Sequence, residues 1–340
     1  MITDLTSFLL SHGGPILRWL TVNELLPDEP SIDRVAVFTD LLACPEVCRW
    51  LNLLGSGPVH HSKDSSAENV MAKLAEYGLK AGLADLDECL LPYSAIGEGE
   101  SYHDQALILV PFLVRLGYAS EPRIASWMAE RIEVLYKLAI CGDYDLYMSE
   151  TERHCLPTSQ RTLHGSPKLF YQQRFNNHWG ALGLPTCYDL YALAYLPKDN
   201  TLTRQKVESI LRYILHPTFQ DTPGGYIWNA QLHRPYAAGR VFLACLPRVG
   251  DLEKLVLFLE MLARFDSGRA SDWFQRGMTH LETFSTEHGT YRFPREYLSE
   301  KHSYYLYAGM HMGLGEAPRD LRTLELESTF RMARIKKLIE

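Results

Sequence analysis

The side chains best suited to bind a ligand or transfer a proton are concentrated in the stretch RFNNHWG, at positions 174–180. Imidazole exchanges a proton near neutral pH, a carboxamide binds a carboxylate or hydroxyl without adding charge, and a guanidinium holds an anion through two hydrogen bonds. A predicted helix begins near Pro185 and carries further polar groups. We therefore predict an acid–base site in which His178 transfers the proton. The predicted orienting side chains are Arg174, Asn177 and Tyr188.

A structural role would explain the same stretch. A buried polar network could fix the 174–180 loop against the helix, with His178 as a hydrogen-bonded core histidine. The presence of a cavity beside the His178 ring distinguishes the two interpretations. A further catalytic candidate is Asp143, which lies in the turn CGDYDLY and could face such a cavity.

Two other segments combine aromatic rings with Arg and His and lack apolar periodicity. They are TPGGYIWNAQLHRPYAAGR at 222–240 and the segment from ETFSTEHG to GLGE at 282–316. Such residues suit an anionic or polyhydroxylated small-molecule ligand. We predict that 226–240 and 288–311, within these segments, meet 174–180 around one pocket; the alternative for 282–316 is a rim that packs the last helix onto the body. The predicted substrate-binding residues are Trp179, Tyr226, Trp228, Arg234, Tyr236, Arg295, Tyr297 and Tyr304.

Two more polar motifs favour ordinary roles. In GPVHHSKDSS, at 57–66, adjacent histidines cannot easily ligate one ion from one face, and no HExxH motif follows, so we expect an exposed polar loop and no metal site. The string DLDE at 85–88 departs from the DxDD motif of class II terpene cyclases at its last position. It is interpreted as a charged helix start.

Helical periodicity dominates the chain, and strand signals are almost absent. Pro45 separates two short helices in 32–54, a capping box at 65–68 opens a helix that Gly78 ends, and Gly117 joins two amphipathic helices into a hairpin. Around ten to twelve helices predict a bundle, a solenoid or a closed ring of helices. The later helices are expected at 184–195, 203–215, 252–265, 271–284 and 321–338.

The turns between these helices recur as a Gly followed closely by aromatics: CGDYDLY, TPGGYIW and EHGTYRFP. This pattern resembles the α/α-toroid superfamily of squalene and terpenoid cyclases and protein prenyltransferases, with Tyr usually in place of Trp. LRWLTVNELL and FPREYL are similar to bacterial cyclase-like proteins of unassigned activity. The resemblance implies an all-α fold, one α/α toroid of helical hairpins over 1–340. It also implies an enzyme that acts on a small molecule in a central cavity.

Two alternatives for function stay open. The triplet Asn176-Asn177-His178 resembles the NNH motif of alginate lyases, in which Asn neutralises the uronate carboxylate and His with Tyr handles the proton. That resemblance implies a lyase that acts on uronate oligosaccharides. The other alternative is a toroid that binds a ligand or a peptide without catalysis.

Composition excludes several classes. The net charge of −7, without a dense basic run, gives no footprint for nucleic acid. No stretch reaches 18 apolar residues and no signal peptide is evident, so we expect a cytoplasmic protein without an integral membrane segment. The seven Cys are scattered and odd in number, which favours reduced thiols. No cofactor motif is present, and no oligomeric state is indicated.

Overall fold

Helices dominate the protein, as the sequence predicts. The computed structural model describes residues 2–90, 93, 102–154, 169–170, 183–197, 200–222, 224–229, 236–314 and 320–340. The helices of the first half are α1 Ile2–His12, α2 Pro15–Leu20, which a π-helical turn at Thr21–Leu25 extends, α3 Arg34–Leu42, α4 Pro45–Leu53, α5 Ala67–Glu76, α6 Ala84–Leu90, α7 Tyr102–Arg115, α8 Pro122–Cys141 and α9 Glu150–His154.

The second half continues in the same way after residue 183. Its helices are α10 Cys187–Tyr195, α11 Thr201–Ile214, α12 Pro217–Gln220, α13 Leu252–Leu262, α14 Asp266–Arg269, α15 Asp272–Glu282, α16 Tyr305–Ala308 and α17 Leu321–Ile339. Single 3₁₀ turns lie at Tyr118–Ser120 and Arg295–Leu298. In the described part of the chain, no helix is both long and apolar enough to cross a bilayer.

Local signals set the helix ends. Pro45 and Pro122 each occupy the first turn of a helix, where the missing N–H costs nothing. Gly78 and Gly117 follow α5 and α7 with φ of 75° and 96°, a backbone region that side chains with a Cβ rarely adopt. The predicted capping box is wrong: the N-cap of α5 is Ser66, whose side chain accepts from the Asn69 amide, and not Ser65 paired with Glu68.

A small sheet departs from the expectation of almost no strands. Its strands are β1 Leu169–Phe170, β2 Gly225–Asn229 and β3 Tyr236–Val241, in the order β1-β2-β3. β1 runs parallel to β2, and β2 runs antiparallel to β3. The motif TPGGYIW was expected to form only a turn. Gly224 does have a φ of 77°, but the following Tyr-Ile-Trp forms a strand, in keeping with the preference of aromatic and β-branched residues.

Five helices form a continuous series of buried neighbours. α5 packs against α7, α7 against α10, α10 against α13, and α13 against α17. α5, α10 and most of α13 are buried on every side, so other protein must surround them. α8 and α11 pack together outside this series, and α1 packs on α17.

An ionic network joins the ends of these helices. Glu76, at the end of α5, accepts from Arg115 at 2.6 Å and from Arg331 at 2.7 Å. Arg331 and Arg334 also reach Glu260 of α13 at 3.1 and 3.2 Å. Burial alone would raise the pKa of the Glu76 carboxyl, but the charges of Arg115, Arg331 and Arg334 outweigh burial and hold that pKa well below its usual range.

Candidate functional site

The starts of three helices bring the candidate site together. Ser66 caps α5, which places Glu68 in the first turn of that helix. Thr186 and Asp189 form a reciprocal capping box at the start of α10 and place Tyr188 in its first turn. Tyr304 directly precedes α16. Caps fix where a helix begins, so the side chains of its first turn are held in a defined direction.

Asp189 is also fixed from the side. Arg131 of α8 donates to both of its carboxylate oxygens, at 2.7 and 2.8 Å, and to the Leu184 carbonyl at 3.0 Å. Arg131 and Asp189 are both buried. This two-pronged contact anchors the start of α10 against α8, and with it the position of Tyr188.

Glu68 links two side chains from distant parts of the chain. Its carboxylate accepts a hydrogen bond from the Tyr188 hydroxyl at 2.9 Å, and its other oxygen contacts Nδ1 of His60. Glu68 is fully buried, and Tyr188 is 3% exposed. The His60 side chain, by contrast, is 31% exposed. The three residues therefore form a chain of polar contacts that runs from the interior to an accessible imidazole.

The accessible imidazole lies among aromatic rings. The His60 ring stacks on Tyr304 with centroids 4.5 Å apart, and it meets the Tyr188 ring in a T-shaped arrangement with centroids 6.4 Å apart. Tyr304 in turn meets Tyr307, which packs on Phe242 at 3.9 Å. A flat or apolar part of a ligand can pack on such rings.

The hydrogen bonds define the chemistry available to His60. A carboxylate only accepts, so Nδ1 of the neutral ring must carry the hydrogen and Nε2 keeps its lone pair. No other hydrogen bond of the His60 ring occurs in the described part of the chain. An imidazole oriented by a buried carboxylate, with its second nitrogen open, has the geometry of a general base.

Tyr188 is a hydrogen-bond donor to Glu68 in this arrangement. Burial, followed by the negative charge of Glu68, raises the pKa of the Tyr188 hydroxyl well above its usual range. Burial likewise raises the pKa of the neighbouring Cys187 thiol. Neither Tyr188 nor Cys187 is suited to act as an anionic nucleophile or base near neutral pH, which leaves the accessible His60 imidazole as the candidate proton acceptor of the cluster.

A small cavity is lined by Cys187 and Tyr307, which neighbour Tyr188 and Tyr304, but not by His60, Glu68, Tyr188 or Tyr304 themselves. It has a volume of about 230 Å³ and lies between the start of α10 and the residues after β3. Its walls include Cys187, Phe242, Lys254 and Tyr307. Lys254 lies over the Tyr307 ring at 5.0 Å, and Asp251 also lines the cavity, so the described residues of its wall carry one charge of each sign.

Beside the site, a second polar cluster holds the 299–314 segment on α5. Lys73 is fully buried and donates to Glu300 at 2.6 Å and to the His311 carbonyl at 3.2 Å. His311 contacts Glu300 at 3.3 Å and adopts a φ of 60°, which is rare outside glycine. Asn69 binds the same segment through the Ser303 carbonyl at 2.9 Å. These contacts set the position of Tyr304.

The proposed centre of the sequence analysis lies outside the described residues. The predicted residues in this category are Arg174, Asn177, His178, Trp179 and Arg234. For a second group the structure describes the backbone, in β2 and β3, but not the side chains: Tyr226, Trp228 and Tyr236. Their predicted roles stay predictions.

The residues that follow 174–180 lie next to the residues that follow β3. The Cys187 amide donates to the Phe242 carbonyl at 2.9 Å, and the Ala244 amide donates to the Pro185 carbonyl at 3.0 Å. The backbone that follows 174–180 is thus paired with the backbone that follows β3. Through the contact of Phe242 with Tyr307, this pair also meets the 282–316 segment.

The remaining predicted residues occupy different places. Tyr188 and Tyr304 both contact His60. Tyr297 is fully buried, and its hydroxyl is hydrogen-bonded to Nε2 of His280, on α15, at 2.6 Å; its predicted role in substrate binding stays a prediction. Arg295 lies exposed on a 3₁₀ turn. Asp143 is exposed, and its carboxylate accepts from the Asp145 amide at 2.8 Å.

The sequence interpretation missed His60 and Glu68. His61 and Lys63 are exposed as expected, but His60 is half-buried against Glu68, so the exposed-loop prediction is wrong at that position. Glu68 was assigned to a local cap because it follows Ser65 by three residues. The sequence did carry a signal for Glu68. The apolar residues of α5 extend around the whole helix, which indicates that the charged residues of α5 are buried and need partners.

The string DLDE behaves as predicted. Asp87, in the first turn of α6, accepts from the nearby Gly82 amide at 3.1 Å and from the hydroxyl of Tyr118, on a 3₁₀ turn 31 residues further along the chain. Within the described ranges, no group of His, Cys, Asp and Glu side chains has an arrangement that could hold a metal ion.

Known proteins give no independent guide to the site. No family model, curated protein or solved structure matches the chain. The function is therefore argued from the geometry around His60.

Proposed function

We propose that this protein is an enzyme of the terpenoid-cyclase and prenyltransferase-like α/α-toroid type that acts on a small molecule by acid–base chemistry. The observation that carries the proposal is the contact of His60 with Glu68, which also binds Tyr188. A buried carboxylate that orients an accessible imidazole is costly to build, since Glu68 loses its hydration. Such arrangements are concentrated at functional sites.

The toroid is supported by the order of the buried helices. In an α/α toroid, an inner layer of helices is surrounded by an outer one. The series α5, α7, α10, α13 and α17 would form the inner layer, because its members are neighbours and are largely buried. α8 and α11, which pack together outside it, would belong to the outer layer.

Each residue has a distinct role in the proposed reaction. Nε2 of His60 accepts a proton from the substrate, and Glu68 stabilises the imidazolium that forms. The Tyr188 hydroxyl keeps Glu68 in place and remains protonated. Tyr304 and Tyr307 supply an aromatic wall. The predicted groups of 174–180, which precede α10 by a few residues, would bind the polar part of the ligand.

The first experiment tests the contact between His60 and Glu68 without a substrate. Nitrogen-15 NMR of the imidazoles should show His60 with its hydrogen on Nδ1 in the wild type. In Glu68→Gln, the His60 ring should no longer favour the tautomer with its hydrogen on Nδ1, because an amide can donate as well as accept a hydrogen bond. An unchanged tautomer in the variant would contradict the role given to Glu68.

The second experiment tests catalysis. The protein is incubated with squalene, prenyl diphosphates and uronate oligosaccharides, and products are detected by mass spectrometry and by the ultraviolet absorbance of a new double bond. We expect conversion to fall by about 10²-fold or more in His60→Ala. The matched control is His288→Ala, since the His288 side chain is 77% exposed and its imidazole lies beside the neighbouring Glu287.

The outcomes separate the candidate functions. A cyclised or transferred isoprenoid would support the cyclase-like proposal, and an unsaturated uronate would support a lyase. Binding without conversion would favour a non-catalytic toroid. Conversion by His60→Ala at the wild-type rate, with an unchanged thermal midpoint, would remove His60 from the mechanism.

A further inference from the structure

A second cavity lies at the opposite end of α5. Its volume is about 450 Å³, and it is enclosed by the residues after α5, the end of α10 and the side of α17. Glu68 is in the first turn of α5 and Ala75, which lines this cavity, is in the last. At about 1.5 Å of rise per residue the two lie about 10 Å apart along the helix. The cavity is therefore separate from the His60 site.

Its lining carries a marked excess of positive charge. The charged residues that line it are Glu24, Lys80, Arg115, Arg264, Arg334 and Lys337. Five of these six are cationic. Glu24 is held by Arg334 through two contacts of 2.7 and 2.8 Å, and Arg115 is paired with Glu76. The local carboxylates are thus already committed to arginines.

The lysines of the cavity have no carboxylate of their own. Lys80 donates to the Arg115 carbonyl at 2.6 Å, and neither Lys80 nor Lys337 forms an ion pair with any described residue. Burial of the ammonium, followed by the charge of Arg115, lowers the pKa of Lys80 to about 8. A cation whose charge is disfavoured by its neighbours gains from a bound anion.

An aromatic ring with an unused hydroxyl completes the cavity. Tyr195 lies between two guanidinium groups, with Arg115 at 4.5 Å and Arg264 at 4.3 Å from its ring centre. Its hydroxyl is buried and has no hydrogen-bond partner in the described part of the chain. Buried polar atoms are almost always satisfied, so the unsatisfied hydroxyl of a residue that lines the cavity indicates a missing partner.

We propose that this cavity binds a small molecule with at least two negative charges, through Lys80, Lys337 and the Tyr195 hydroxyl. Arg115 and Arg334 are already fixed by Glu76 and Glu24, so the anion enters a rigid, preorganised basic site. The site is distinct from the proposed catalytic centre, and its occupation does not depend on that proposal.

Titration calorimetry of the full chain with pyrophosphate tests the inference, with sodium chloride used to match ionic strength. The wild type should bind pyrophosphate. The double variant Lys80→Gln/Lys337→Gln should bind at least tenfold more weakly, because charged hydrogen-bond partners are lost. Lys137→Gln, an exposed lysine on α8, is the matched control and should bind as the wild type does.

Two results would overturn the proposal. One is the absence of heat from pyrophosphate binding to the wild type beyond the sodium chloride reference. The other is equal affinity of the double variant and the wild type. Circular dichroism of each variant checks that the fold is retained, and Tyr195→Phe provides a second test. Its only lost atom is the buried hydroxyl, and it should weaken binding several-fold without loss of charge.

Discussion

Glu327 of α17 offers a direct test of the electrostatics of the interior. It is 5% exposed, and its carboxyl accepts a hydrogen bond from the Leu314 amide at 2.9 Å. Burial raises the pKa of this carboxyl from 4.5 to about 8, although the Leu314 amide and the charges of Arg331 and Lys73 act in the opposite direction. The negative charge of Glu300 raises the pKa of Glu327 further. At pH 7 the folded protein therefore holds a proton that the unfolded chain has released.

The sign of the pH dependence follows from this difference. Between about pH 4.5 and about pH 8 the folded state binds the extra proton, so the contribution of Glu327 to the free energy of unfolding falls as pH rises. Above about pH 8 the contribution of Glu327 to the free energy of unfolding no longer changes with pH. With about 1.4 kcal/mol for each pKa unit, the full loss amounts to roughly 5 kcal/mol.

The variant Glu327→Gln isolates this effect. The amide keeps the shape and the acceptor for the Leu314 amide but cannot ionise. Urea unfolding of both proteins at a series of pH values should give similar stabilities near pH 5. Near pH 9 the variant should be more stable by several kcal/mol. A stability difference that stays constant from pH 5 to pH 9 would refute the assignment of a neutral Glu327 carboxyl.

Two further substitutions test buried ion pairs by urea or thermal unfolding. Arg131→Ala leaves the buried Asp189 carboxylate without its two-pronged partner and should cost about 3–5 kcal/mol. The exposed pair of Arg204 provides the control, since Arg204→Ala should cost less than about 1 kcal/mol. A similar cost for both arginines would contradict the importance of burial. Lys73→Met removes the buried partner of Glu300 and should cost about 3–5 kcal/mol, with the 299–314 segment losing amide protection in hydrogen exchange. Unchanged protection there would show that Lys73 does not anchor the segment.

The helical architecture could be predicted because its signals are local. Pro122 at the start of α8, the glycines after α5 and α7, and Asn200 as the N-cap of α11 each act within one turn of the chain. The strand β2 was missed for the opposite reason. Its backbone pairs with β3 and with β1, and β1 lies more than fifty residues earlier in the sequence.

The candidate site was only partly predictable. Tyr188 stood out as a polar aromatic near a predicted helix start, and Tyr304 as part of a segment rich in aromatics and Arg; both rings neighbour that of His60. The orientation of His60 is set by its contact with Glu68, and Glu68 in turn is hydrogen-bonded to Tyr188, 120 residues further along the chain. A local pattern instead assigned Glu68 to a cap at its own helix.

The sequence by itself determined the helical character of this protein and most helix ends, because capping, glycine conformation and side-chain periodicity operate over a few residues. Only the tertiary structure decided which charges are buried together. Glu68, Glu76 and Lys73 each have a partner far away in the chain: Tyr188, Arg331 and Glu300, respectively. Burial makes those contacts obligatory, since an isolated charge in the interior is too costly to keep.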